Sequence, residues 1–434
     1  MIKKLIVVFI VLFTVKSFAQ EGASSPYSYY GIGSLKFKGT VENKSMGGLS
    51  IFTDSIHVNL RNPAAYAGEN LLVYNNESRP VIFSVGGSHS DITLKSNTEK
   101  AGTTTTTFDY IALAIPVGKL GFGIGLLPYT SVGYKLENFN QDNKLTHRFR
   151  GEGGLNKVYF SVGYLLTKGL SIGVDANYNF GNIQNSTIEL LYNQEGELVQ
   201  FQTRESNRSD LSGLNFNFGL SYKTMLSEKL EMISGLTYGL ESNLSSNNQR
   251  QLATIALSTD GFENVVNTID VDLEAAGLKK TTLTLPSKFS IGTGIGQPQK
   301  WFAGIEYTTI QTSNFNNELY SAVNTTYENG STFALGGFYI PDYNSFTSYW
   351  KRMVYRAGLR FENTGLVVNE QPIREFGMSF GLGLPVGGLF SNANLGFELG
   401  KRGTTKSNLI QENFFNINIS LSLNQRWFEK RKYN

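Results

Sequence analysis

The chain has 434 residues, with 38 lysines and arginines, 35 acids and no cysteine. Three of the basic residues, Lys3, Lys4 and Lys16, fall within the first nineteen positions, so the remainder is formally neutral, 35 against 35. This balance excludes a basic nucleic-acid surface, and the cysteine count excludes a disulfide framework or thiolate metal site.

Residues 1–19 combine a positive start at Lys3 and Lys4, an apolar core over 5–15 and the small-x-small ending Ser17-Phe18-Ala19. This is the pattern of a cleavable secretory signal peptide, with cleavage expected before Gln20. No later window approaches the ~20 apolar residues of a spanning helix. With 30 Phe, 22 Tyr and 46 Gly, the exported remainder suits a soluble β-rich protein or an outer-membrane barrel.

Within an N-terminal segment of residues 20–78, positions 24–66 show no alternation, yet Tyr27, Tyr29, Tyr30, Phe37, Ile51, Phe52 and Leu60 argue against disorder. Sixty residues before the first strand exceed any turn, so a plug or hatch inside a barrel is expected. Within it, Asn62 favours turn initiation and Pro63 presets φ for a tight corner.

Residues 79–428 read as an all-β, antiparallel transmembrane barrel of about fourteen strands. The expected strands are 80–95, 105–116, 119–136, 146–166, 169–190, 207–224, 229–246, 283–297, 300–311, 330–340, 351–364, 374–385, 388–401 and 411–428. Period two is clear in SIGVDANYNF at 171–180 and in FNINISLSLN at 415–424. One face carries aliphatic and aromatic residues, suited to lipid, and the other small and polar ones, suited to a lumen. Short connections such as PVGKL at 116–120 and TKG at 167–169 alternate with longer polar ones. Outer-membrane barrels segregate periplasmic turns from outer loops in this way. Trp427 and Phe428 end the last strand, and 429–434 is a basic periplasmic tail.

The third strand holds GFGIGLLPY at 121–129. Proline cannot donate to a ladder and is normally kept from central strands. Leu126 and Leu127 interrupt the alternation just before Pro128, as a bulge would. Leu126, Leu127, Pro128 and Tyr129 therefore mark a kink expected to part this strand from a neighbour and open the wall, filled from inside by the hatch.

Strand parity sends Asp175, Glu306, Arg356, Arg360, Glu362 and Glu398 to the lumen, with Lys288 on the same side. On the lipid face an Arg or Lys would cost roughly 2–4 kcal/mol at mid-membrane. The inward charges form either a network that pins the hatch or a hydrophilic route. In the 247–282 connection, Phe262, Val265, Val266, Ile269 and Leu273 approach helical spacing, so a short amphipathic helix over the mouth is expected. His57, His89 and His147 show no metal-like spacing, and GSHSD at 87–91 is a lone Ser/His neighbourhood. No enzyme activity and no cofactor is expected.

The run SMGGLSIFTDSIHVNLRNPAAYAG, with Gly47, Gly48, Asp54, Asn62 and Pro63, resembles the N-terminal signature of FadL-like outer-membrane proteins, hydrophobic-compound transporters. The resemblance covers essentially the whole mature chain. It implies fourteen strands, a hatch folded into the lumen on the Gly47, Gly48, Asn62 and Pro63 motif, and a lateral opening at the third strand. It implies passive uptake of a hydrophobic small molecule across the outer membrane of a Gram-negative cell, with outer-membrane lipid as the surrounding partner. A related PorV-like branch serves type IX secretion. An accessory barrel with protein partners in a secretion or assembly complex is therefore the alternative. A polar-solute porin is least favoured, because an ordered plug would occlude it.

Overall fold

The computed structural model describes residues 25–36, 38–54, 56–67, 80–258, 262–315, 324–386 and 391–425. The expected signal peptide at 1–19, Phe37, the aromatic ending Trp427 and Phe428, and the tail at 429–434 lie outside the described residues.

Alternation builds the wall. Its staves are β1 (Val81–Lys95), β2 (Lys100–Val117), β3 (Leu120–Pro128, then Thr130–Phe139 after a break at Tyr129), β4 (Leu145–Thr167) and β5 (Leu170–Glu189). Then follow β6 (Gln202–Met225), β7 (Glu231–Gly239 and Ser242–Leu257), β8 (Lys280–Leu285 and Lys288–Gln297), β9 (Trp301–Ile310) and β10 (Gly330–Tyr339). The last four are β11 (Val354–Val368), β12 (Gln371–Pro385), β13 (Asn392–Arg402) and β14 (Gln411–Gln425). Each stave is antiparallel to the next, and β14 returns to β1 from Val81↔Gln425 to Lys95↔Gln411, closing a barrel of 14 strands. Closure leaves no sheet edge, the condition for strands to cross hydrocarbon.

Outward positions such as Phe160, Tyr178, Phe216, Tyr307, Phe361 and Ile419 are exposed, as a lipid-facing surface requires. Their neighbours Ser161, Asn177, Asn179, Glu306, Arg360 and Asn418 are buried inside. The N-terminal segment, here called the hatch, contacts inward residues of the wall, as Ser50 and Arg61 do Glu306 and Lys38 does Glu362. It begins with the 3-10 turn Pro26–Tyr29, then a two-residue strand Ser34–Leu35, the helical turn Val41–Lys44 and a second 3-10 turn Pro63–Tyr66.

Two local expectations change. Among the described residues, the 247–282 connection carries no helix: the strand Glu263–Asp270 pairs antiparallel with β7 from Leu257↔Glu263 to Gln251↔Asp270. Val265, Val266, Thr268 and Ile269 are β-branched and stiff at χ1, which suits a strand. The ladder offered by β7 decides the matter. Phe262, Val265, Val266 and Ile269 stand exposed on this hairpin, and Leu273 beyond it is buried. Between β11 and β12 there is no long loop. Asn369 and Glu370 sit at φ 47° and 62°, left-handed at both central positions, as a two-residue hairpin turn requires.

Candidate functional site

The third stave is the irregular part of the wall. Its first half, Leu120–Pro128, pairs on one side with β4, from Leu120↔Tyr164 to Pro128↔Asn156, without a register shift. On the other side its ladder with β2 stops at Ile111↔Leu126. Above that point, among the described residues, no pairing joins β2 to Thr130–Phe139. The second half keeps its partner β4, from Val132↔Gly153 to Phe139↔Leu145. No bulge forms at Leu126 and Leu127. They point to opposite faces, Leu127 inward against Val58, Tyr66, Tyr110 and Tyr159. The break comes at Pro128 and Tyr129 instead.

Amide direction explains why proline is tolerated here. Tyr129 N–H donates to Leu155 O of β4 at 2.7 Å. Amides alternate along a strand, so an N–H at position 128 would point the other way, toward β2. The ladder on that side has already ended.

Beyond the break, Thr130, Ser131, Val132, Gly133 and Tyr134 are all buried. A wall strand shows one buried face, so five successive buried residues mean that this segment leans into the lumen. β4 follows with two successive glycines at positive φ, Gly153 at 114° and Gly154 at 142°. A Cβ at Gly154 would run into the Thr130 carbonyl.

The hatch takes up the abandoned edge. Ser34 and Leu35 pair with Ser131 and Thr130. Lys36 N–H donates to Tyr129 O at 3.0 Å, and Ser25 N–H to Gly133 O at 3.1 Å. Ile32 joins Val132, Tyr134, Leu155, Ile183, Leu211 and Leu244 in a packed apolar cluster just inside.

The rest of the hatch rests against glycines of the wall. Gly121 pairs with Gly163, Gly163 with Gly173, and Gly173 with Gly219. Across the barrel, Gly336 pairs with Gly358. A Cβ at Gly121 would collide with the Tyr66 carbonyl, one at Gly173 with Pro63, and one at Gly336 or Gly358 with Met46. Of the inward glycines of GFGIG, Gly121 seats the Tyr66 carbonyl and Gly123 the Tyr66 ring, whereas Gly125 faces Tyr159 of β4. Of the expected hatch motif, Gly47 (φ 70°) and Gly48 (φ 91°) make the turn after Val41–Lys44. Gly47 N–H donates to Ser379 Oγ at 2.9 Å. Asn62 caps the turn Pro63–Tyr66 by accepting from Ala64 N–H at 3.0 Å, and its amide donates to Leu220 O at 3.1 Å.

The six inward charges do not form one network. Arg360 pairs with Glu375 and Glu398 at 2.6 Å each and approaches Glu362 at 3.6 Å. Lys38 of the hatch bridges Glu362 and Glu375, and Arg402 bridges Glu375 and Glu412. Glu306 stands apart from this group and accepts from Ser50 N–H, Ser50 Oγ and Arg61 of the hatch, all within 2.8 Å. Arg356 donates to Asn394 at 3.1 Å, and Asn394 donates to Glu42 of the hatch at 2.6 Å. Asp175 accepts from Ser161 and lies away from the other five.

A third tie lies within the hatch. His57 Nδ1 meets Asp54 Oδ2 at 2.8 Å, with Glu42 Oε1 3.8 Å from Nε2. Burial alone would lower the His57 value. Asp54 and, less strongly, Glu42 outweigh both burial and Arg356, and hold it above 6.5.

Glu375, Arg402 and Glu412 were legible by parity, since they continue the inward rows of β12, β13 and β14. The hatch partners Lys38, Lys44, Glu42 and Arg61 had no periodicity to betray them. Ser88 and Ser90 share the lumen-facing row of β1, whereas His89 points outward and contacts Thr106 Oγ1 at 2.8 Å. The GSHSD neighbourhood thus builds no Ser–His pair. Among the described residues no cluster of His, Asp or Glu is arranged to hold a metal ion.

A family model described as BamG matches residues 1–434. No curated protein matches the sequence. Among solved structures, the Ralstonia pickettii toluene transporter TbuX is 14% identical, with a TM-score of 0.57 over 91% of this chain and 100% of its own. The Pseudomonas putida toluene transporter TodX is 14% identical, at 0.56 over 92% and 100%. A Pseudomonas aeruginosa FadL homologue is 13% identical, at 0.56 over 91% and 99%. At these identities the likeness establishes a shared FadL-type barrel fold.

Proposed function

The chain belongs to the BamG family, and we propose that it is an outer-membrane barrel for passive uptake of a hydrophobic small molecule, which leaves sideways between β2 and β3. One observation carries this reading: the ladder between the two staves stops at Ile111↔Leu126, and the freed edge of β3 is held only by the hatch. The route along the axis is closed by hatch backbone seated on wall glycines, where no side chain fits. Freeing the seam breaks the Ser34–Leu35 pairing, the two amide bonds beside it and the two hydrogen bonds that join Ser28 Oγ to Gly133. The toluene transporters with this fold, TbuX and TodX, lend the reading its ligand class.

The absence of native cysteine makes a direct test simple. Ser34 and Ser131 are paired partners, and antiparallel partners lie ~4.5–5.5 Å apart at Cα, within disulfide range. The double variant Ser34→Cys, Ser131→Cys should form a disulfide that locks the hatch onto β3. Uptake of toluene into vesicles should stop on oxidation and return on reduction. Equal uptake in both states would refute lateral exit.

A second reading has its own support. The cavity beside the hatch strand carries the charged residues Lys36, Lys38, Arg360, Glu375, Arg402 and Glu412 alongside Leu35, Ile92 and Phe414. At the short-turn end, Phe346 is 99% exposed and Trp350 68% exposed, beside Lys351 and Arg352. A fixed barrel serving as an accessory subunit of an outer-membrane complex accounts for both. Purification in mild detergent would then yield a partner at one copy per chain, lost on Phe346→Ser, Trp350→Ser substitution. A lone barrel would end this reading.

A further inference from the structure

Inside the wall formed by β1 and β12–β14, against the hatch strand that borders the seam, lies a cavity of about 120 Å³, where one water needs ~10–15 Å³. It is bounded by hatch residues Ser34, Leu35 and Lys36, by Ser90 of β1, by Thr105 of β2 and by the charged group around Arg360. Four of its cations are engaged. Lys38 pairs with Glu362 and Glu375, Lys44 with Asp109, Arg360 with Glu375 and Glu398, and Arg402 with Glu375 and Glu412. Among the described residues, Lys36 Nζ has no carboxylate within ion-pair distance. Its backbone is nonetheless fixed, because its N–H is bonded to Tyr129 O. Burial lowers its value to about 8, with Asp109 opposing and Lys44 and Arg402 adding to the effect. A half-buried ammonium ion without a counter-charge calls for an anion.

Height narrows the choice of anion. Thr105 lies about twelve residues beyond Val117; at ~3.3 Å per residue and a tilt of about 40° that is roughly 30 Å above the short-turn end, past the ~25 Å apolar band. The upper end of the cavity, where Lys36, Ser90 and Thr105 lie, therefore sits at the headgroup level of the outer leaflet. The seam beside it exposes Leu35 and Phe108. Anions at that level, attached to chains that can lie along an apolar seam, are lipid phosphates.

We propose that Lys36, with the Ser90 and Thr105 hydroxyls, binds the phosphate of an outer-leaflet lipid headgroup whose acyl chains lie along the β2–β3 seam. Ammonium and hydroxyl donors converge on the phosphate oxygens as charge-assisted hydrogen bonds. The site stands whether or not the chain transports anything, because it needs only the seam and the cavity. A bound lipid would seal the wall where backbone pairing is missing.

The test uses the full chain purified from membranes in mild detergent, with phosphorylated lipid per chain counted by mass spectrometry and phosphorus assay. Lys36→Met keeps the apolar stem and should lose about tenfold of the retained phospholipid, while Lys36→Arg should keep it. Should Lys36→Met fail to assemble, Thr105→Val is the second variant and should lose about threefold. Equal retention in Lys36→Met, or in Thr105→Val if that is the one that folds, overturns the proposal. Inorganic phosphate displacing the lipid at equal molar concentration would assign the site to free phosphate instead. Lys36-dependent binding of oleate without any phospholipid would assign it to a carboxylate. Either result overturns the lipid-phosphate assignment.

Discussion

Pro128 is tolerated because of what its missing N–H would have faced. The position directs its amide toward β2, whose ladder ends two residues earlier at Leu126. Pro128→Ala should therefore change stability by less than about 1 kcal/mol. Ile124→Pro, four residues down in the fully paired part of the same stave, should cost several kcal/mol, because a carbonyl loses its partner in hydrocarbon. Thermal unfolding in detergent compares the two, and equal losses would refute the assigned amide directions. Gly358 makes the complementary case. Any Cβ there meets the Met46–Gly47 peptide, so Gly358→Val should cost about 1–3 kcal/mol by overpacking and expose the hatch to protease.

His57 gives the hatch a pH window. A raised histidine value means the folded state favours the charged ring. Its contribution is complete below 6.5 and fades as pH rises through the raised value. Asp54 is lowered from 3.8: burial opposes this, but His57 and the Ile56 and His57 amides outweigh it. Its contribution is complete above 3.8 and fades as pH falls through the lowered value. Hydrogen exchange over 50–62, corrected for intrinsic rate, should show stronger protection near about pH 5.5 than near about pH 9. Identical protection would mean the pair does not hold the hatch.

At the scale of elements, staves and hatch differ in how far the sequence discloses them. The expected strands agree with the observed ones to within a few residues along most of the wall, because a two-faced strand writes its period into the chain. The long strand 207–224 extends to Gln202–Met225, and 351–364 runs on to Val368. Their extra lengths rise beyond the apolar band, where polar residues on both faces hide the period. The hairpin at Glu263–Asp270 was misread as a helix for a related reason. Its apolar positions satisfied helical spacing, and only a partner strand could decide otherwise. The hatch has no period, and its path is set by the glycines and carboxylates it meets. Arg360 marks the coupling between the two parts. Arg360→Leu leaves Glu375 and Glu398 short of a buried counter-charge, and a broken buried pair costs ~3–5 kcal/mol. Thermal unfolding should register that loss, with hatch proteolysis appearing first. A change under about 1 kcal/mol would show that Lys38 and Arg402 suffice.

For the molecule as a whole, closure and filling answer different needs. Among the described residues, closure pairs each stave with both neighbours over most of its length; the β2–β3 ladder stops early, and the hatch pairs with part of the edge left there. In the proposed route, an apolar compound leaves sideways through this seam once the hatch contacts along β3 are released. The proposed lipid site draws on the same discontinuity, since Lys36 N–H bonds Tyr129 O at the end of the broken ladder. Lateral exit and lipid sealing are compatible: a lipid at rest in the seam would be the first thing an exiting ligand displaces. Toluene uptake should accordingly rise when Lys36→Met loosens that lipid, and uptake assays on the two chains compare them directly. Unchanged uptake would separate the lipid site from the route.

The sequence by itself determined the export signal pattern, the barrel class, the strand number and the inward parity of the charges. Those follow from composition and from a period-two rule that acts between neighbouring residues. It also marked Pro128 as the odd residue of the third stave. Only the tertiary structure decided which neighbour that stave abandons, which carboxylates the hatch cations meet, and that Lys36 has none within ion-pair distance among the described residues. Those contacts join residues up to hundreds of positions apart, such as Ser25 with Glu412 and Glu42 with Asn394. Chain closure brings them together, and no local pattern records it.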